Sequence, residues 1–116
     1  MRKDGTDLNS YPFLMAPGQI AALSLRNRIL MAPMGDALAN PDGTVSKRQL
    51  DYYEARAKGG AALIIVGSVA VTYPGGAFSA DQTALHTDEH IVGISELAQR
   101  VQRHGARIAL QLTHGG

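Results

Sequence analysis

The sequence predicts an α/β chain in which three parallel strands alternate with two helices, the first three β-α units of a TIM-type (β/α)8 barrel preceded by a short N-terminal hairpin. Three observations carry this expectation. Short apolar runs at 29–34, 61–66 and 107–112 are too brief for helices and read as buried strands. Between them lie two segments with apolar residues at helical spacing, and a repeated strand–helix order calls for parallel strands with right-handed crossovers. Finally, neither GxGxxG after the first strand nor GxxxxGK[ST] anywhere is present, which favours a barrel over an open nucleotide-binding sheet. A complete barrel takes about 250 residues, so a chain of 116 residues holds an incomplete one.

Residues 1–16 read as an N-terminal tail and 17–116 as the opening portion of the barrel. Pro17-Gly18 is a turn signal, and Ile20, Leu23 and Leu25 alternate as a short hairpin would. Ile29 to Met34 is the first buried strand. Asn40-Pro41 and Asp42-Gly43 then mark a loop. Ser46 with Gln49 three residues on has capping-box spacing, Leu50, Tyr53 and Ala57 follow on one helical face, and Gly59-Gly60 ends the helix. "AALIIV" is the second strand, ending at Gly67. A long loop follows, turned at Tyr73-Pro74-Gly75-Gly76. Thr87, Asp88 and Glu89 open the second helix, where acids suit the positive end of the helix dipole. Ile91, Ile94, Leu97, Ala98 and Val101 form its apolar stripe, Gly105 ends it, and "RIALQL" is the third strand.

Composition removes several function classes. With 45% hydrophobic and 18% charged residues and a formal net charge of +1, the chain has ordinary globular composition and no electrostatic case for nucleic acid. Basic and acidic residues interleave around 47–58, as on a solvated helix face. No cysteine means no disulfide, thiolate nucleophile or cysteine-held metal in these residues. No apolar run approaches the roughly 18 residues of a membrane span, and no signal-peptide pattern follows Arg2 and Lys3, so the expected location is cytoplasmic.

In a barrel, chemistry sits at the carboxyl ends of the strands. Those positions hold Ala32, Pro33, Met34 and Gly35 after the first strand, Gly67 and Ser68 after the second, and Gln111 with His114 at and beyond the third. Small residues and a neutral amide cannot do acid–base chemistry, but they can floor a flat polar molecule. His86 and His90 lie four apart without a third ligand nearby, so no metal site is expected. Tyr52 and Tyr53 read as packing residues. Tyr73 serves its turn or reaches a pocket.

"NRILMAPM", "DYYEARAKGGAALIIVGS" and "HTDEHIVGISELAQRVQRHGARIALQLTHGG", in this order, resemble the N-terminal part of the Old Yellow Enzyme family of NADH:flavin oxidoreductases, with Met34-Gly35 and Gly67-Ser68 similar to its 2,4-dienoyl-CoA reductase branch. The resemblance implies an FMN-binding barrel that takes hydride from NAD(P)H and delivers it through flavin N5 to an activated alkene or enoyl compound. It implies that Ala32, Pro33 and Met34 line the flavin and that Gly35 stands near its reactive edge. Many relatives carry Thr or Cys there, so side-chain tuning at that position is ruled out here. Ser68 and Gly67 would face the flavin O4 side, Gln111 would pair with its pyrimidine edge, and His114 with Tyr73 would border the substrate pocket. No catalytic residue is expected within the chain. The substrate anchors, the proton-donating tyrosine and the phosphate site would lie beyond residue 116, and an iron–sulfur cluster and FAD would belong only to a further C-terminal extension.

Two other readings stand beside this one: a non-catalytic truncated fragment that needs the missing strands, and another barrel enzyme binding a phosphorylated metabolite. The second expects charged residues at the strand ends. An exposed third-strand edge leaves self-association into a homo-oligomer open.

Overall fold

The computed structural model describes residues 10–116, so most of the expected tail lies outside the described residues. Within its last part, Pro12–Met15 forms one helical turn, α1, instead of continuing as loose chain. Proline suits this place because its fixed φ matches a helix start and its missing N–H would have been unpaired there.

The hairpin is present. Strand β1 (Gly18–Ile20) pairs antiparallel with β2 (Leu23–Leu25). Its turn falls at Ala21-Ala22, with Ala21 at φ +49°, while Pro17-Gly18 leads into β1. A second sheet has the order β3-β4-β5, with both pairings parallel. Strand β3 is Leu30–Met31, β4 is Leu63–Ala70 and β5 is Arg107–Thr113. Helix α2 (Lys47–Lys58) connects β3 to β4, and α3 (Ile91–Arg103) connects β4 to β5. This is the expected α/β order, and the barrel is not closed.

The sheet differs from expectation in three ways. The first strand has only two residues rather than spanning 29–34, and Leu30 and Met34 are 45% and 51% exposed. Pro33 supplies no N–H, so the ladder cannot run on past Met31. Strand β4 does not end at Gly67 but passes through Gly67 and Ser68 to Ala70. Its register explains this. Val66 pairs with Leu110 and Val69 with Leu112, so Gly67 and Ser68 together face the single residue Gln111 as a bulge, and pairing then resumes. Finally, β5 is not apolar and covered on both faces; its residues alternate between half-buried and exposed because only the face of Ile108 and Leu110 packs against the core.

Helix boundaries follow the expected chemistry. The Ser46 hydroxyl oxygen accepts the Gln49 N–H at 3.1 Å. The Gln49 side chain, however, does not reach back to complete a capping box; it turns inward. Gly60, at φ +112°, takes the left-handed position after α2. Before α3, Asp88–His90 forms a 3-10 turn whose box joins Thr87 and His90.

Helices α2 and α3 pack on one face of the sheet. Leu50, Tyr53 and Ala57 meet Leu97 and Val101 over Ile64, Val66 and Val69. Alternation along β4 sends Leu63 and Ile65 the other way, where Leu23 and Leu25 of the hairpin cover them. Each fully buried aliphatic side chain in this core contributes about 1.5–3 kcal/mol. Ile91 lies outside it, half exposed at the start of α3.

Candidate functional site

Parallel pairing brings the strand ends together beside the bulge in β4. A Cβ placed on Gly67 would lie 2.4 Å from Pro33 Cβ, 2.9 Å from Pro33 Cα and 2.9 Å from Gln111 Oε1. Pro33 therefore closes on Gly67 from the β3 side, and the Gln111 amide closes from the β5 side. Gly67 is buried between them, and no side chain fits at their meeting point. Ala32 and Met34 flank it and are exposed, as is the Gln111 side chain.

Gly35 is different. A side chain there would meet nothing within 4 Å, so the position is open rather than crowded. It borders a cleft of about 520 Å³ shared with Arg48, Asp51 and Tyr52 of α2.

Ser68 is buried, and its neighbour Gln82 was not anticipated as a site residue. Gln82 Nε2 donates to Ser68 Oγ at 3.1 Å, while Gln82 Oε1 accepts the Phe78 N–H at 2.9 Å. The same Nε2 lies 3.4 Å from Thr113 Oγ1, tying the loop after β4 to the end of β5.

The strand ends also carry a carboxylate that a list of terminal residues passes over. Asp36, one residue beyond Gly35, accepts the Tyr53 hydroxyl at 2.7 Å and the Gln49 amide at 3.0 Å. It also accepts the Leu38 N–H at 2.9 Å, an Asx-type turn that holds the loop after β3. Gln49 Nε2 further donates to Thr83 Oγ1 at 2.6 Å. Tyr53 is thus more than a packing residue. Burial first, and then the hydrogen bond to Asp36, push its phenol far above the ordinary tyrosine range. The sequence signal for this network was an acid beside the strand end with a tyrosine and glutamine on one face of α2.

His114 and Tyr73 make their contacts with loop residues. The His114 ring packs on Gly76, where an added Cβ would come within 2.9 Å of Cδ2. The Tyr73 hydroxyl donates to the Pro41 carbonyl at 2.5 Å, and its ring meets the edge of His90. The phenol is therefore occupied in joining two loops. His90 is buried with Nε2 3.0 Å from the Asp42 carbonyl oxygen and Nδ1 3.1 Å from the Thr87 N–H, so it does not converge with His86 on a metal. Among the described residues, no three His, Cys, Asp or Glu side chains gather to hold a metal ion.

The sequence profile of the NADH:flavin oxidoreductase / NADH oxidase family matches residues 13–116. The chain belongs to that family. An NADH oxidase of Thermoanaerobacter brockii is 47% identical over 109 residues, covering 94% of this chain and 17% of the relative. An NADPH dehydrogenase of Halalkalibacterium halodurans is 39% identical over 98 residues, covering 84% of this chain and 29% of its own. Among solved structures, morphinone reductase in complex with tetrahydroNAD superposes with a TM-score of 0.82 at 35% identity, covering 90% of this chain and 28% of that one. A 2-naphthoyl-CoA reductase complex superposes with a TM-score of 0.85 at 27% identity, over 91% of this chain and 16% of that one. This member of the family thus spans under a third of the length of these relatives.

The residues present fit the flavin that gives the family its name. A tricyclic ring needs apolar contact on one face and a polar edge partner; Ala32 and Met34 are exposed beside a junction that the lack of a Cβ at Gly67 lets close. Gln111 can serve as that partner because an amide both donates and accepts. No helix among the described residues is long and apolar enough to cross a membrane.

Proposed function

We propose that residues 17–116 form the first three β-α units of an FMN-binding (β/α)8 barrel in an oxidoreductase that reduces an activated alkene, such as an enoyl compound, with NAD(P)H. The supporting observation is the junction of Pro33, Gly67 and Gln111 at the carboxyl ends of three parallel strands. When bound, FMN would accept hydride from the nicotinamide and pass it on through N5.

The chain's own residues bind and orient. Ala32, Pro33 and Met34 offer apolar contact to one face of the ring, and Gly67 keeps that contact flat. The Gln111 amide pairs with the pyrimidine edge and sets the ring's rotation. Ser68 meets a ring carbonyl. Gly35 leaves space beside the reactive edge, and with no side chain there the polarity of that edge is left to backbone and solvent. His114 forms part of the rim, whereas Tyr73 acts by holding the loop after β4 against Pro41. These residues exclude water from one ring face and fix how the ring lies. A cytoplasmic setting accompanies NAD(P)H as reductant, and an iron–sulfur cluster with FAD would sit only in a C-terminal extension.

A second reading rests on the two sheet edges, β3 and β5, that no strand among the described residues pairs. On that reading the chain is an inactive piece that needs the remaining strands. A visible spectrum of the purified protein separates the two: a bound flavin absorbs in the blue, and a colourless, aggregating product supports the fragment. Gln111→Ala in the complete barrel should weaken FMN retention by about tenfold, the loss of one or two neutral hydrogen bonds. Unchanged retention would remove Gln111 from the site.

A further inference from the structure

We propose that Gln82 is a positioning residue that fixes the Ser68 hydroxyl as a hydrogen-bond donor toward a carbonyl of the bound flavin. The proposal rests on the flavin reading above and deepens it by giving the β4 end a defined polarity.

The Phe78 N–H can only donate, and it lies 2.9 Å from Gln82 Oε1. This contact dictates which end of the amide is oxygen. The nitrogen end must then face Ser68 and Thr113, where Nε2 lies 3.1 Å from Ser68 Oγ, 3.4 Å from the Ser68 carbonyl oxygen and 3.4 Å from Thr113 Oγ1. An NH2 group also only donates, so Ser68 Oγ is an acceptor in this contact. A hydroxyl has one proton, and that proton points away from Gln82. No hydrogen bond among the described residues takes it. Gln82 is 5% exposed, so its amide is held by these protein partners, while Ser68 keeps a 9% opening. In the bulge, Ser68 is also released from the regular ladder that continues on either side. A buried serine with its acceptor side filled and its donor side open is built for a ligand acceptor, and a ring carbonyl is one. Gln82 lies 14 residues from Ser68 in an irregular loop, with no spacing that would have drawn attention to it.

The test compares wild type, Ser68→Ala, Gln82→Glu and the double variant, each in the complete barrel, using FMN titration by fluorescence and the visible absorption of the bound flavin. Glutamate keeps the length and the acceptor for Phe78 but presents Ser68 with an oxygen, so the serine proton is drawn inward. Each single variant should weaken FMN binding roughly 3- to 10-fold, the range for one neutral hydrogen bond. Both should shift the flavin band in the same direction, and the double variant should bind no more weakly than either alone. Losses that multiply in the double variant, or a Gln82→Glu protein with the wild-type band, overturn the proposal. Should wild type bind no FMN, the flavin reading falls and takes this one with it; wild-type binding with multiplying losses overturns the Gln82 role alone. Independently of how Gln82→Glu folds, NMR of the wild-type side-chain amide should show slow exchange that Ser68→Ala accelerates. Fast exchange in the wild type overturns the assignment.

Discussion

Replacing Gly67 with alanine tests the junction at its tightest point. The added Cβ would sit 2.4 Å from Pro33 Cβ and 2.9 Å from Pro33 Cα. Neither atom can rotate away, because the pyrrolidine ring is tied to the backbone at both ends. The third neighbour, Gln111 Oε1 at 2.9 Å, is the end of a flexible side chain and can swing out. Relief of the clash must therefore come from β3 separating from β4. Overpacking of this kind costs about 1–3 kcal/mol, and the rigid partner places Gly67→Ala toward the upper end. For a domain of this size that is a fall of roughly 5–15 °C in Tm. Gly35→Ala is the matched control, since a Cβ there meets nothing within 4 Å. It should be neutral or stabilise by up to about 1 kcal/mol, by restricting the unfolded chain. Thermal and urea unfolding of both variants beside wild type would decide. Equal Tm values for Gly67→Ala and wild type, or equal losses in both variants, would refute the close approach of Pro33 to β4.

Three further outcomes follow from other parts of the structure. Tyr53→Phe removes a donor to the Asp36 carboxylate and should destabilise by about 1.5–3 kcal/mol in urea unfolding. Because the folded phenol titrates well above the unfolded one, wild type should lose stability as pH rises past about 10, a loss the Phe variant lacks. The Arg26 guanidinium donates to the carbonyls of Ala57 at 2.7 Å and Ala61 at 2.8 Å, and to that of His104, joining the C-terminal ends of α2 and α3. Arg26→Ala should lower stability by about 1–2 kcal/mol, and Arg26→Lys should restore only part of it, because an ammonium cannot span the same carbonyls. The Glu54 carboxyl is held below its usual range, first by the hydrogen bond with His104, 2.9 Å away. That stabilisation is present above the ordinary carboxylate range and fades as pH falls through the lowered value. His104→Ala should therefore lose less stability than wild type between about pH 6 and pH 3 in equilibrium unfolding.

Much of the chain was legible from local chemistry. The Ser46 cap, the glycines after α2 and the apolar stripe of α3 act within a few residues of themselves, so sequence order expresses them directly. The strand ends held their order for the same reason. Strand length was less legible. The first apolar run reads as a six-residue strand from composition, yet Pro33 stops the ladder and an edge position leaves Leu30 exposed. Likewise, Gly67 looks like a terminus until β5 is seen to continue alongside it, paired again at Val69 and Ala70.

By itself, the order of residues determined the β-α alternation, the parallel sheet and the small residues and neutral amide at the strand ends. The tertiary structure decided how those ends meet. Pro33, Gly67 and Gln111 are separated by 34 and 44 positions, and the parallel register of β3, β4 and β5 makes them neighbours. The same holds for Asp36 with Tyr53 and for Ser68 with Gln82: a hydrogen bond depends on distance and direction in space, and neither is encoded in spacing along a chain that loops between them.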